Sequence, residues 1–359
     1  MIKASSARTH NAPSLGRYAY GYRDRDPIVL DRAGTAVFAW VMTSSQETPL
    51  GRRRFIGAAA LVGTGAALAG AAAPAATAAP SPLRRAAGAT GAAGASGASA
   101  KATFRWLGTS GWRIDIGDKT VLVDPYLSRY STGLFDGHFD PATPLTVDEG
   151  RIGDHPGTPE TILATHTHWD HYNDVPHIAQ GSGARVFGTL TAYHLGLAYQ
   201  LPAGQLSPVK GGEVMDFGAY TVEVVSSLHS RNGSYSLAFP GVRVAVPPRP
   251  QTVQDLPEGD TLAYQVSVAG GPKVFFMGAS DFAERNLTGL APDVAMIAVP
   301  ATDVTHAYVP RLLAALDHPA VVVPVHWDDF ETPLQNPPSV SPSDRKRLDL
   351  FVASPSPAA

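Results

Sequence analysis

Three histidines and one aspartate lie within six residues of this chain, and they are His166, His168, Asp170 and His171. Neutral imidazole and carboxylate are the ligand types that zinc and similar divalent metals select. In an extended segment side chains repeat every two residues, so His166, His168 and Asp170 share one side. His171 can turn toward a second metal as the chain leaves the strand. One short loop could therefore serve two metal ions.

Three more candidate ligands each close a run of β-branched or aromatic residues; they are His229, Asp281 and His326. Such runs are typical of β-strands. A single His-x-His pair often lies at the protein surface in contact with solvent and binds no metal. The additional candidates at three strand ends favour a metal site over that interpretation.

The motif His-x-His-x-Asp-His with its three later partners resembles the signature of the metallo-β-lactamase superfamily, across roughly residues 102–335. The resemblance implies two divalent metal ions, zinc by default, with manganese or iron as alternatives. It also implies an α/β (α+β) fold, the four-layer αβ/βα sandwich. One metal would be held by His166, His168 and His229, the other by Asp170, His171 and His326, with Asp281 bridging the two.

In such a site two metals share a hydroxide that attacks a carbonyl or phosphoryl centre, and Asp170 is the predicted catalytic residue that orients it. Flavodiiron oxygen reductases share the fold but carry glutamate where this chain has His168, so the histidine favours hydrolysis. The opening 106–111, with 123–125 and 324–327, resembles the branch of sugar-phosphate lactonases and N-acylphosphatidylethanolamine phospholipase D.

We therefore expect cleavage of an ester-like bond (lactone, carboxylic ester or phosphodiester) in a small-molecule or lipid-like substrate. Fold alone does not fix the reaction. A β-lactam hydrolase and a metal-binding module without turnover stay open as alternatives.

Candidate substrate contacts flank the predicted ligands. Arg231 follows His229, Trp327 follows His326, and His306 precedes a predicted helix; each has a structural role as its alternative. Long irregular loops often act as lids or binding loops, so residues 131–159 and 240–258 are expected to govern selectivity. Asp124, at the end of a predicted strand, is interpreted as a turn cap.

The elements that must position these residues are predicted from hydrophobic periodicity and from Gly, Pro and Asp turns. The predicted strands are 103–107, 111–116, 120–123, 184–187, 221–226, 235–239, 261–268 and 273–277, and the predicted helices are 173–180, 192–199 and 309–316.

Composition narrows the functional class. The chain has 359 residues, 44% of them hydrophobic, which suffices for a globular core. A net charge of −3 without a basic patch argues against nucleic-acid binding. The absence of cysteine excludes thiolate ligands, disulfides, a cysteine nucleophile and a lipoprotein anchor.

An export signal is predicted near the N-terminus. Arg52, Arg53 and Phe55 open a weakly apolar Ala/Gly/Leu segment that ends before an Ala-x-Ala site at 76–78. This order resembles a twin-arginine signal. We expect recognition by the twin-arginine export machinery, an extracellular or cell-envelope location, and no stable membrane anchor.

The predicted organisation has five parts. They are residues 1–41, upstream of a translation start at Met42 or disordered; 42–78, the twin-arginine signal peptide; 79–101, a disordered Ala/Gly/Ser linker; 102–336, the metallo-hydrolase domain; and 337–359, a disordered tail.

Overall fold

Two mixed β-sheets form the frame that holds the site. A computed structural model describes residues 102–300, 304–335 and 337–353, and the backbone of three short strands nearer the N-terminus. The strands are β1 (Arg17–Tyr18), β2 (Ile28–Leu30), β3 (Ala36–Val37), β4 (Ala102–Gly108), β5 (Gly111–Ile116), β6 (Lys119–Val123), β7 (Thr161–Leu163), β8 (Arg185–Gly188), β9 (Leu206–Pro208), β10 (Val214–Asp216), β11 (Tyr220–Ser226), β12 (Leu262–Val268), β13 (Lys273–Met277), β14 (Val294–Ala298) and β15 (Val321–Val325).

Helices cover the outer faces of these sheets. They are α1 (Glu149–Ile152), α2 (Trp169–Tyr172), α3 (Val175–Ser182), α4 (Leu190–Ala198), α5 (Glu284–Leu287), α6 (Tyr308–Ala315) and α7 (Pro342–Ala353). One sheet has the order β3-β2-β4-β5-β6-β7-β8-β9, and the other has the order β1-β15-β14-β13-β12-β11-β10. Within the described residues, no helix is both long and apolar enough to cross a bilayer.

Strand alternation divides the apolar residues among three cores. In β13, Val274 and Phe276 face the core between the sheets, whereas Phe275 and Met277 face the outer core beneath α6. Side chains alternate across a strand, so a continuous apolar run is expected where both sheet faces are covered. The same division in β6 places Leu122 in the outer core of the other sheet, beneath α3 and α4.

The layers therefore run helix, sheet, sheet, helix, which confirms the predicted α/β, four-layer αβ/βα sandwich. Most strands that lead to the site have parallel neighbours: β6 pairs with β7, and β14 pairs with both β13 and β15. Strand β11, which precedes His229, is instead antiparallel to β10 and β12. Parallel strands end at one edge of a sheet, so the residues that follow them are brought together. The backbone N–H of His326 donates to the Thr109 carbonyl (2.8 Å) and joins the two sheets at this edge.

The segment before residue 42 contributes short edge strands: β2 pairs with β3 and β4, and β1 pairs with β15. The start at Met42 stays a prediction. The predicted signal peptide (42–78) and linker (79–101) lie outside the described residues.

Two element predictions were wrong. Residues 235–239 form no strand, because the Asn232 side-chain oxygen accepts hydrogen bonds from the backbone N–H groups of Ser234 and Ser236 and holds the segment in turns. The tail predicted to be disordered from 337 contains helix α7. Leu348 and Phe351 are buried there, and Phe351 packs in the core beneath α6, so burial compensates the ordering entropy.

Candidate metal centre

The predicted ligands follow strands of both sheets. His166 lies three residues after β7, His229 three after β11, and His326 directly after β15. Helix α2 begins just after His168 and carries Asp170 and His171 in its single turn. Its four residues are all buried, which fixes the ligand loop against the helical layer.

Two groups of potential ligand atoms result. His166, His168 and His229 form the first, and Asp170, His171 and His326 the second; within each group the ligand atoms lie within 4.8 Å of one another. The rings of His166 and His171 have centroids 3.9 Å apart and bring the two groups into contact. The structure therefore brings six of the seven predicted metal ligands together, and metal binding by them stays a prediction.

The ligand atoms of the second group lie close to one another. His326 Nε2 is 3.1 Å from Asp170 Oδ2 and 3.2 Å from His171 Nε2, and the latter two atoms are 3.5 Å apart. Ligands about 2.0–2.1 Å from a tetrahedral zinc lie roughly 3.4 Å from one another. The spacing thus fits a metal ion that would sit among these three atoms.

Most imidazoles are oriented by a hydrogen bond at the nitrogen that faces away from the group. His168 Nε2 donates to the Ala238 carbonyl (3.0 Å), and His229 Nδ1 donates to the Ser230 carbonyl (2.8 Å). Those contacts leave Nδ1 of His168 and Nε2 of His229 for a metal. Hydrogen bonds of this kind set the tautomer of metal-binding histidines.

Asp124 helps to orient a histidine in each of the two groups. Its Oδ2 accepts from His171 Nδ1 (2.8 Å) and from the Thr165 hydroxyl (2.5 Å), while Oδ1 accepts from the Thr165 N–H (2.7 Å). The Thr165 hydroxyl oxygen lies 3.1 Å from His166 Nδ1 and can accept a hydrogen bond from its N–H group. Asp124 is therefore more than the turn cap predicted from sequence. A Cβ at Gly278 would lie 1.9 Å from Thr165 Oγ1, so only glycine leaves room for this arrangement.

A buried ion pair holds the loop after His326. Arg129 Nη2 donates to Asp328 Oδ2 (2.7 Å), and Asp328 Oδ1 accepts from the Thr109 N–H (3.0 Å). Since Thr109 also binds the backbone of His326, this network fixes the last ligand. His326 itself has a φ of 61°, an uncommon conformation for a non-glycine residue that the surrounding contacts must maintain.

The electrostatics favour the metal-binding forms of most of these side chains. The exception is His171, where burial would lower the pKa but Asp170 and Asp124 raise it above its ordinary value. Burial, with neighbouring imidazoles, lowers the pKa of His168 to about 3 and that of His229 to about 4, and it lowers the pKa of His166 well below its ordinary value. Burial alone would raise the pKa of Asp170, but His171 and His326 shift it below its ordinary range. Neutral imidazoles and an ionised carboxylate are the forms that bind metal.

The donor set supports the same conclusion. His166 Nε2 is buried and has no hydrogen-bond partner, although buried polar atoms are nearly always paired. A metal ion among His166, His168 and His229 would satisfy it. The chemistry and placement of these residues thus fit a metal in each group.

Asp281 belongs to neither group. Its Oδ1 accepts from the backbone N–H of Phe282 (2.9 Å), and its backbone pairs with Leu228, beside His229. The bridging role stays a prediction.

The predicted substrate contacts are not drawn into the groups. His306 and Arg231 are exposed; the His306 carbonyl accepts from Arg311, and Arg231 donates to the Tyr235 carbonyl. Trp327 stacks on Trp106 with ring centroids 5.5 Å apart, so it packs against strand β4. These contacts favour the structural alternatives, and substrate contact stays a prediction.

An aromatic wall borders the site instead. Phe139, from the first long loop, stacks on Trp169 (5.7 Å) and meets Phe239 (5.9 Å), which lies against His168 (6.1 Å). Phe330 continues the wall, since it packs against Trp169 (6.3 Å) and against His326 (5.2 Å). No sequence pattern predicts the contact between Phe139 and Phe239, because only the folded loops bring them together.

This chain is similar in sequence to curated proteins named as metal-dependent hydrolases. A UPF0173 metal-dependent hydrolase of Methylobacterium nodulans is 29% identical over 255 residues, which cover 69% of this chain and 90% of the relative. A protein of the same name from Methylocella silvestris is 30% identical over 161 residues, or 44% of this chain and 61% of the relative.

Solved structures are similar at low identity. Igni18, a metallo hydrolase of Ignicoccus hospitalis, aligns over 70% of this chain and 93% of its own with 18% identity and a TM-score of 0.43. A possible metal-dependent hydrolase of Veillonella parvula aligns over 69% and 91% with 16% identity and a TM-score of 0.45.

The family model of the beta-lactamase superfamily domain matches residues 103–326. The match spans both sheets and all of the predicted ligands. The chain therefore belongs to the metallo-β-lactamase superfamily.

Proposed function

We propose that this protein is an exported metal-dependent hydrolase with two metal ions, zinc by default, that cleaves an ester-like bond. The observation that carries the proposal is the pair of adjacent ligand groups, His166, His168 and His229 beside Asp170, His171 and His326. The relatives named as metal-dependent hydrolases support the reaction class.

The residues of the chain have separable roles in this proposal. When bound, two metal ions would lower the pKa of a coordinated water toward neutrality and polarise the substrate oxygen. Asp170, ionised beside His171 and His326, orients the attacking water by accepting a hydrogen bond from it. Asp124 and Ala238 hold the imidazoles in the tautomers that the reaction requires. The aromatic wall excludes bulk water from one side.

The proposed substrate class rests on the segments around Trp106, Asp124 and His326. These segments resemble the superfamily branch that contains sugar-phosphate lactonases and N-acylphosphatidylethanolamine phospholipase D. Lactones, carboxylic esters and phosphodiesters all place an electrophilic centre beside a polarisable oxygen. A hydrolase of this design needs no serine or cysteine nucleophile, in keeping with a chain that lacks cysteine.

The deciding experiment pairs metal analysis of the purified protein with a substrate panel of nitrophenyl esters, phosphodiesters, lactones and nitrocefin. We expect two metal ions per chain and turnover on one ester class. Turnover of nitrocefin alone would favour the β-lactam hydrolase. Full metal content without turnover on any substrate would favour the metal-binding module.

Two substitutions test the two ligand groups. His229→Ala should reduce the metal content by at least one ion, because it removes one third of the first group. Asp170→Asn should abolish turnover. His138→Ala, an exposed histidine outside both groups, is the control for loss of an imidazole. An unchanged metal count in His229→Ala would show that the site is misassigned.

Export is tested separately. N-terminal sequencing of the secreted protein should find a start shortly after Ala78, and Arg52→Lys with Arg53→Lys should keep the protein inside the cell. A mature start before Met42 would refute both the signal and the proposed translation start.

A further inference from the structure

Large apolar side chains are exposed in one segment beside the metal centre. We call residues 235–249 the strap. Tyr235 is 71% exposed and Val244 is 77% exposed, and Val242 and Val246 are about half exposed. Clustered exposed apolar groups, unlike single ones, mark interaction surfaces.

The strap is held in this position by its backbone. The Ala238 carbonyl binds His168, the Phe239 carbonyl accepts from Glu258 N–H (2.8 Å), and the Gly241 carbonyl accepts from Gly259 N–H (2.9 Å). Farther along, Arg243 N–H donates to the Thr191 hydroxyl (2.9 Å). Four attachments within six residues prevent the valines from turning inward.

The side-chain pattern of the strap is the reverse of an ordinary loop. Val242, Val244 and Val246 point to solvent, whereas Arg243 between them is half-buried. A loop adapted to water alone would expose the arginine and bury the valines. Leu190, exposed at the start of α4 beside Thr191, extends the apolar surface.

The charged side chains within the strap and next to it in sequence are all positive. Between Glu223 and Asp255 the sequence contains three arginines and no acidic residue, although the whole chain has a net charge of −3. Within the described residues, no carboxylate lies in ion-pair distance of Arg231, Arg243 or Arg249. The Asp255 carboxylate accepts from the N–H of Gln251 and from the N–H and hydroxyl groups of Thr252, while Arg243 donates to the Asp255 backbone carbonyl (3.4 Å).

We propose that the strap docks the protein reversibly onto an anionic lipid surface. Val242, Val244, Val246 and Tyr235 would enter the boundary between headgroups and acyl chains, and the arginines would meet lipid phosphates. Exposed apolar groups combined with arginines that form no ion pair with a carboxylate are the chemistry that such an interface recognises. The inference does not depend on the reaction proposed above.

The test is co-sedimentation of the full chain with vesicles of phosphatidylglycerol and phosphatidylcholine, and with vesicles of phosphatidylcholine alone. We expect stronger binding to the anionic vesicles, weakened by high salt. Val242→Ser/Val244→Ser/Val246→Ser should abolish binding to both vesicles. Arg243→Gln should weaken binding to anionic vesicles about fivefold and leave binding to neutral ones unchanged.

Val214→Ser is the matched control, because Val214 is 67% exposed on β10 and lies outside the strap. It should bind as the parent does, and thermal melting should show that each variant is folded. Equal binding of the triple valine variant and the parent would overturn the proposal, as would the absence of binding to anionic vesicles. Light scattering that shows a dimer dissolved by the valine substitutions would assign the surface to a second copy instead.

Discussion

At the scale of single residues, the candidate centre depends on side chains that touch no metal. Asp124 is buried and makes direct contact with His171 and, through Thr165, indirect contact with His166. One carboxylate thereby orients a histidine of each ligand group. The two groups should therefore respond together when it is changed.

Asp124→Asn should weaken metal binding by about 10- to 100-fold, because an amide offers only one acceptor oxygen to the donors that the carboxylate now serves. Competition with a chromogenic chelator measures the affinity. Asp118→Asn, an exposed change in the turn between β5 and β6, should leave it unaltered. Unchanged affinity in Asp124→Asn would show that the histidines are oriented by other contacts.

At the scale of elements, loops that leave different strands are tied to one another by buried polar groups. Arg129 follows β6 and Asp328 follows β15, and their side chains are 2% and 0% exposed. Breaking such a pair leaves a buried charge without its partner, which costs more than the pair contributes when intact.

Arg129→Ala should lower the free energy of unfolding by about 3–5 kcal/mol, measured by denaturant titration. Lys119→Ala is the comparison, since Lys119 pairs with Glu160 at the surface, where pairs contribute about 0–1 kcal/mol. Equal losses in the two variants would mean that burial gives the Arg129 pair no special importance.

Helix α7 provides a second prediction at this scale. Phe351→Ala should lower the free energy of unfolding by about 3–5 kcal/mol, because it empties a site in the core beneath α6. Leu350→Ala removes a neighbouring side chain that is 58% exposed and should change it by about 0.5 kcal/mol or less. A stable Phe351→Ala variant would show that α7 does not dock.

The elements also show how far sequence reasoning reaches. Strands β4, β5, β6, β11, β12 and β13 and helices α3, α4 and α6 follow from local periodicity, within about two residues. Strand β14 was missed because its run Val-Ala-Met-Ile-Ala is continuous and apolar, which periodicity alone cannot assign. The predicted strand at 235–239 was wrong because the hydrogen bonds of Asn232 hold that segment in turns. The predicted disorder of the tail was wrong because burial of Phe351 stabilises α7 despite its polar local composition.

The residues of the site also divide into those that the sequence predicts and those whose role depends on the fold. The spacing of His166, His168, Asp170 and His171 is local, and the resemblance supplied His229 and His326. The function of Asp124 and the meeting of Phe139 with Phe239 arise from contacts across the fold. No local pattern specifies them.

At the scale of the whole molecule, the ligand groups draw on both sheets, so a bound metal should stabilise the entire sandwich. Removing metal with a chelator should lower the melting temperature by about 5–10 °C, the effect of a ligand present at about 100 times its Kd on a domain of this size. Differential scanning calorimetry measures this, and zinc should restore the original value. An unchanged melting temperature would contradict a metal held between the sheets.

The order of the ligands along the chain has a consequence for biosynthesis. The first group is incomplete until residue 229 has left the ribosome, and the second until residue 326 has done so. His326 also needs its hydrogen bond to Thr109, more than two hundred residues earlier, before it can face its partners. A nascent chain therefore cannot assemble the full centre before residue 326 has been synthesised and has reached Thr109, and a cell that supplies scarce metal must deliver it after that point.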